Sequence, residues 1–335
     1  MPLATAPDVA DVAGRFRFGF GRAAEPLVQR VLPMVDARVR MQPRADVKPV
    51  LKWAGGKRQL LEPILAFVER SFPDQIANYY EPFAGGAAVF FALAGRNKFE
   101  HAKLSDMNAD LIRVYLELRD NAEAVIAELE KLAARTLTKE TYYEVREELR
   151  AKRPRKDAAR AARLIYLNRT GYNGLYRVNS SGEFNVPYGS YKNPRVLDPP
   201  RLKAAAHALQ GVELTVEDFE SSCKKAKRGD FVYFDPPYVP VSKTASFAAY
   251  HSVAFTSIEH ARLAETFARL TKRGVTTLLS NSDTPETRAL YREFHPHTVT
   301  VHATRAINSN ASRRGRVPEL LVHSEPQKKA KVRSR

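Results

Sequence analysis

The sequence predicts an α/β protein with a mostly parallel sheet, covered by helices on both faces and interrupted by a mainly helical insertion that carries a β-hairpin. Three observations predict it. Short apolar strand patterns alternate with helical ones on either side of residues 111–200, as parallel β-α units require. Two strand-to-turn junctions stand out, Glu81-Pro82-Phe83-Ala84-Gly85-Gly86-Ala87 and, after the apolar run Phe231-Val232-Tyr233-Phe234, Asp235-Pro236-Pro237-Tyr238. Between them, Leu111 to Arg153 is helical in composition with repeated charged pairs, whereas Asn168 to Tyr191 is dense in Gly, Asn, Ser and Tyr, the residues of turns and hairpins.

The first 47 residues show a helical alternation of apolar and basic residues only from Leu27 to Met41, and are expected to be a weakly ordered extension, an upstream start or a regulatory arm. From Pro49 to Val68 a turn at Gly55-Gly56 leads into a helical pattern. Tyr79 to Glu81 reads as a strand entering the second glycine turn, with a helix through Val89-Phe90-Phe91-Ala92-Leu93 after it. Leu104-Ser105-Asp106 closes the next strand, and Arg160 to Leu167 is a further helix. Strands resume at Val212 to Val216, Phe231 to Phe234, Val275 to Asn281 and Val299 to Val301. Residues 326–335 form a basic tail expected to be disordered.

A chain of 335 residues, 44% hydrophobic, buries a large core, which excludes a fibre or a disordered tail. Lys and Arg number 54 against 37 Asp and Glu, a net charge of +17 that makes a polyanion the expected partner, although basic surfaces can also be merely solvated. Cys223 is the one cysteine, so there is no disulfide framework and no cysteine metal site. No apolar run reaches the ~20 residues of a membrane helix. The sequence thus predicts a cytoplasmic, nucleoid-associated protein.

The glycine turn places small residues at a helix amino terminus, where backbone can approach a ligand closely. Asp106 lies 21 positions beyond Gly85, about where an acidic residue takes ribose hydroxyls in nucleotide-binding α/β folds. Each feature alone is common, since an Asp closing a strand is ordinarily a helix cap. Gly55-Gly56-Lys57 is followed by Arg58 and not by a hydroxyl residue, so the phosphate-cradling GxxxxGK[ST] pattern is missing and an adenosyl group without phosphates fits better. Asp235, at the end of a buried strand, can accept a hydrogen bond from an exocyclic amine. Pro236 and Pro237 fix the turn, and Tyr238 offers a flat face to an unstacked base. The same tetrapeptide also suits an ordinary turn. His295-Pro296-His297 reads as part of an exposed strand, because two histidines without a third ligand do not make a metal site.

Five segments in order resemble the Dam-type (class D12) DNA adenine-N6 methyltransferases: Leu51 to Lys57, Glu81-Pro82-Phe83, Leu167 to Leu175, Gly182 to Gly189, and Asp235 to Tyr238. The likeness runs from about Pro49 to Ser324. It implies a Rossmann-like S-adenosylmethionine-dependent methyltransferase domain in two parts, residues 48–110 and 201–325, with a target-recognition insertion at 111–200. It also implies S-adenosyl-L-methionine as cofactor, with Trp53, Lys57, Phe83, Gly85, Asp106 and Asp235 beside it. The substrate implied is an adenine amine in double-stranded DNA, with GATC the expected target. Arg177, Leu175, Pro187 and Tyr191 would make or support base contacts, with Lys52 reaching the duplex from the catalytic side, and Asn310 and Arg314 would belong to a backbone-binding loop. A monomer is expected, with a cognate restriction endonuclease as a possible partner. Ala87 departs from the family by standing where the last Gly of the turn falls.

Two rival readings use the same residues. One keeps the fold and changes the acceptor to a cytosine amine, RNA or a protein amide; Asp at position 235, where Ser or Asn is common in those relatives, favours adenine. The other is a silent DNA-binding protein, which the intact Asp235-Pro236-Pro237-Tyr238, Lys57 and Asp106 argue against.

Overall fold

The computed structural model describes residues 47–53, 60–151, 158–240, 255–304 and 316–324. Lys57, Asn310, Arg314, the Gly55-Gly56 turn, residues 1–46 and the basic tail lie outside the described residues, and with them the expectations placed there.

A seven-stranded sheet organises the chain: β1 (Ile76–Glu81), β2 (Phe99–Asp106), β3 (Glu213–Val216), β4 (Phe231–Phe234), β5 (Thr276–Ser282), β6 (Thr298–Thr304) and β7 (Arg316–His323), in the order β3-β2-β1-β4-β5-β7-β6. The first five are mutually parallel, and β7 runs antiparallel between β5 and β6. The expected parallel sheet therefore exists, but its antiparallel strand β7 escaped the sequence reading. All four residues of β4 are buried, which is why this strand is one unbroken apolar run. From β1 the order proceeds to β2 and β3 on one side, and from β4 to β5 on the other. The carboxyl ends of β1 and β4 therefore flank the point where strand order reverses, the place where open α/β sheets bind ligands.

Helices α1 (Leu61–Ser71), α2 (Ala88–Ala94), α6 (Pro199–Ala208), α7 (Phe219–Ser222), α8 (Ser257–Lys272) and α9 (Pro285–Leu290) fill the connections. The charged stretch after β2 is helical, as its composition predicts, and comes in two pieces. It is α3 (Ala109–Ala133) and α4 (Lys139–Arg150), separated because Thr138 adopts an extended conformation and caps α4 through its hydroxyl, which accepts from Thr141 N at 3.1 Å. The next helix, α5, spans Ala158–Thr170 and packs along α3. The apolar faces of these helices join the same core as β1 and β2. The expected hairpin lacks a continuous ladder: a 3₁₀ turn at Tyr172–Gly174 is followed by two isolated antiparallel bridges, Gly171 with Tyr188 and Val178 with Phe184. His295 and His297 belong to a 3₁₀ helix, Arg292–His297, and not to an exposed strand. Among the described residues no helix is long and apolar enough to cross a membrane.

Candidate active site

The first wall of the switch-point crevice is the turn after β1. Gly85 has φ +45° and Ala87, at the N-cap of α2, is left-handed (φ 50°, ψ 39°); Ala87 N–H closes the turn onto Ala84 O at 2.6 Å. The turn is bonded from three sides. Gly85 N–H donates to Asp106 Oδ2 at 3.0 Å, the buried Tyr115 hydroxyl donates to Gly85 O at 2.6 Å, and the buried Glu81 carboxylate accepts from Phe90 N at 3.0 Å and the Tyr79 hydroxyl at 2.7 Å. Asp106 also takes Asn108 N–H on its other oxygen at 2.9 Å, so both oxygens are oriented and each keeps a lone pair for a further donor. Burial pushes the Asp106 carboxyl above its ordinary value, and the two amide donors pull it part of the way back. Met107, 68% exposed, follows it, and Val216, 52% exposed, is its register partner on β3, which gives this carboxylate an apolar lip.

Trp53 lies against the same turn. A Cβ on Gly85 would fall 2.8 Å from the indole Cδ1 and Nε1, so the position admits only glycine while the ring stays there. The indole also stacks on Tyr176 at 5.8 Å. Phe83, half-buried, stacks on Phe219 at 5.4 Å and meets Phe255 edge-on at 5.6 Å, an aromatic wall backed by the Arg262 guanidinium, 4.3 Å over the Phe219 ring.

The second wall is the turn after β4. The Ser280 hydroxyl donates to Asp235 Oδ1 at 3.0 Å and is itself 2.9 Å from the Tyr233 hydroxyl, so a short chain of hydroxyls orients the carboxylate from beneath. Pro236 is buried and Pro237 exposed. The Tyr238 hydroxyl donates to the buried Glu319 on β7 at 3.1 Å; burial, with the Asp235 and Glu319 charges, holds this phenol well above its ordinary value, so it stays neutral. Val239 N–H donates to Asn281 Oδ1 at 3.0 Å, pinning the exit of the turn. Ser280, Asn281 and Glu319 were missed by sequence reasoning. The signal for Ser280 and Asn281 was the polar end of β5, Thr276-Thr277-Leu278-Leu279-Ser280-Asn281-Ser282, all seven residues of which are buried, whereas Glu319 lies on β7 with no such mark.

Of the residues expected to face DNA, Leu175, Arg177, Pro187 and Tyr191 lie on the segment after α5, and Lys52 is tied to its start. Asn168, buried at the end of that helix, holds both backbone groups of Lys52, accepting from its N–H at 2.8 Å and donating to its carbonyl at 2.8 Å, and donates again to Gly174 O at 3.0 Å. Lys52 Nζ sits 4.4 Å over the Tyr191 ring, and burial with the nearby Arg169 charge lowers its pKa. Arg169 donates to Val50 O, and burial brings it down to about 10. Leu175 is half-buried, with its N–H on Tyr172 O at 3.2 Å. Pro187 is exposed, and its carbonyl accepts from Tyr172 N at 2.9 Å. Tyr172, 47% exposed beside it, is a flat apolar surface that sequence reasoning did not single out. Arg177 is exposed and bonded to Asn185. A separate cleft of about 440 Å³, lined by Arg135, Tyr166, Lys192 and Arg195, shares no residue with the crevice.

An adenosyl ligand suits the crevice: one oriented carboxylate for a diol, with aromatic and apolar walls, and no cationic cradle for phosphates among the described residues of either turn. The fit rests on the donor set of Asp106 and on the Trp53 indole that the Gly85 turn packs against.

The family model for D12 class N6 adenine-specific DNA methyltransferase matches residues 53–307. The type II methyltransferase M1.LlaDCHI of Lactococcus lactis subsp. cremoris is 40% identical, over 83% of this chain and 96% of its own length. The type II methyltransferase M.MjaIII of Methanocaldococcus jannaschii is 40% identical over 83% and 99%, and the DNA adenine methylase of Escherichia coli K12 40% over 82% and 95%. A solved precorrin 8W decarboxylase overlaps 80% of this chain and 89% of its own with a TM-score of 0.32 at 10% identity, a likeness too loose to bear on fold or function.

Proposed function

The chain belongs to the D12 class N6 adenine-specific DNA methyltransferases, and on that premise we propose that it methylates the exocyclic amine of an adenine flipped out of duplex DNA, within GATC, using S-adenosylmethionine. The observation that carries this reading is the pairing across the switch point of a ribose-type carboxylate, Asp106, with a second carboxylate, Asp235, oriented from beneath by Ser280.

S-adenosylmethionine, when bound, supplies an electrophilic methyl group on a sulfonium. Asp106 would take its ribose hydroxyls, while Trp53 and Phe83 would line its apolar faces. The adenine amine is a poor nucleophile because its lone pair is delocalised into the ring. Asp235, with the Pro236 carbonyl, would accept hydrogen bonds from its two N–H groups and draw the nitrogen toward a tetrahedral geometry, so that the acceptors act most strongly where charge develops. Ser280 holds one carboxylate oxygen, which reduces the reorganisation needed. Tyr238, neutral and fixed through Glu319, would stack on the flipped base, offsetting part of the few kcal/mol that extrusion costs.

Residues 111–200 would read the duplex. Arg177 would meet guanine O6 and N7 in the major groove, supported by Leu175, Pro187 and Tyr191. Tyr172 offers a stacking face, and Lys52 would reach the duplex from the catalytic side. The net charge of +17 supplies the sequence-independent attraction. Every group invoked comes from one chain, so a monomer suffices.

The test is transfer of labelled methyl from S-adenosylmethionine to unmethylated plasmid, followed by digestion with nucleases that distinguish methylated from unmethylated GATC. Label in adenine together with GATC protection is the expected result. Label without protection would discard the target sequence and keep the reaction.

A further inference from the structure

An exposed arginine ordinarily samples many rotamers, yet Arg177 is held. Its Nε donates to Asn185 Oδ1 at 2.7 Å and its Nη2 to the Asn185 main-chain oxygen at 3.0 Å, while Asn185 N–H donates to Arg177 O at 2.9 Å. These three bonds pair the two residues beside the Val178–Phe184 bridge. Asn185 is in turn fixed from both neighbours. Phe184 and Val186 are buried, the Phe184 carbonyl accepts from Arg150 Nε at 2.9 Å, and the Val186 carbonyl accepts from the Tyr142 hydroxyl at 2.8 Å.

Donor arithmetic decides what this leaves. A guanidinium has five N–H groups in a fixed plane. The bonds to Asn185 use the Nε hydrogen and the Nη2 hydrogen on the same edge. The end-on edge, one hydrogen from each Nη, is the pair whose geometry matches guanine O6 and N7. Both acceptors on Asn185 are neutral, so they orient the guanidinium without the competition that a carboxylate would offer to a base. We propose that Asn185 is the residue that positions Arg177 for guanine, setting discrimination between sequences and leaving general affinity for DNA alone. This rests on the reading that Arg177 contacts guanine.

The test compares kcat/KM on a GATC duplex with that on the same duplex carrying 7-deazaguanine, which lacks the N7 acceptor, for the wild type, Asn185→Ala, Arg177→Ala and the double variant. Non-specific binding is followed against salt. Asn185→Ala is expected to lose about tenfold on the GATC duplex and to narrow its preference over the 7-deaza duplex by a similar factor, with an unchanged salt slope. The double variant is expected to lose no more than Arg177→Ala, because the Asn acts only through the Arg. If Arg177→Ala keeps the full preference for guanine, the base contact and the proposal both fall. If Arg177→Ala loses it but Asn185→Ala does not, or if Asn185→Ala weakens all sequences alike and lowers the salt slope by about one, as loss of a phosphate contact would, the positioning role alone falls. Losses that add in the double variant overturn it as well.

Discussion

The crevice and the segment proposed to read DNA are built by opposite means. The crevice stands on β1, β4 and β5, parallel strands with buried faces, and its two turns leave the sheet where strand order reverses. The segment from Gly171 to Tyr191 has no continuous ladder, only isolated bridges and backbone bonds, and side chains reach its backbone from outside: Asn168 on Gly174, Arg150 on Phe184 and Tyr142 on Val186. On the proposed reading, chemistry that must be placed to a fraction of an ångström would sit on regular structure, and a surface that must follow a groove would sit on irregular chain that a few tethers hold in shape.

The comparison breaks first at Asp235. Asp235→Asn keeps the shape and an acceptor for Ser280 while removing the charge, so kcat is expected to fall on the order of 10²–10³-fold with the melting temperature unchanged. A variant that unfolds, or one that keeps kcat, would show that the carboxylate is structural. On the other side, Tyr142→Phe removes the buried donor to Val186 O, and an orphaned buried carbonyl costs about 1–3 kcal/mol. KM for DNA is expected to rise about tenfold, the kinetic equivalent of ~1.4 kcal/mol, with kcat at saturating DNA nearly constant. A drop in kcat at constant KM would mean that the tether serves the crevice instead, and the division between the two regions would fail.

The same contrast explains what the sequence made legible. Phe231-Val232-Tyr233-Phe234 before Asp235, and Gly85 followed by Asp106 at the next strand end, are local patterns fixed by burial and by the need for close backbone approach, so both turns could be read from residue order. The pairing of Ser280 with Asp235, of Glu319 with Tyr238 and of Asn185 with Arg177 depends on which strands and chains become neighbours, which no local period encodes. Strand β7 went unread because Arg316-Val317-Pro318-Glu319 interrupts its apolar pattern with a proline and a charge, and the carboxylate is kept there by the Tyr238 hydroxyl. The break between α3 and α4 in the charged stretch after β2 has little local signal, the Thr138 cap being its clearest mark.

A smaller effect sharpens the crevice itself. Burial raises the Asp106 carboxyl above its ordinary value of 3.8. For folding, the protonated form is therefore favoured: the contribution to stability is present below the unfolded value and is lost as pH rises through the folded one. Ligand binding would run the other way, because the proposed ribose hydroxyls would donate to the carboxylate. Cofactor affinity by calorimetry is expected to fall as pH drops through the raised pKa, approaching about tenfold per pH unit below it, and Asp106→Asn is expected to bind weakly with no such slope. An unchanged slope in that variant would remove Asp106 from the ribose.

The smallest expected effect lies at Ala87. A left-handed conformation costs an L-residue about 1–2 kcal/mol, and Ala87 adopts it at an N-cap without any side-chain bond to the helix. Glycine would relieve that strain, but it loses about 0.5–1 kcal/mol in chain entropy and leaves a methyl-sized gap where Ala87 is buried. Ala87→Gly is therefore expected to raise stability by less than about 1 kcal/mol, with cofactor affinity within about twofold, since the closest approach belongs to Gly85, where a Cβ would meet the Trp53 indole. Chemical denaturation and calorimetry on the same variant separate the two quantities. Destabilisation beyond 1 kcal/mol would mean that the packing of this methyl group outweighs the strain, and a tenfold gain in affinity would mean that Ala87 itself restricts the approach of the ligand to the turn.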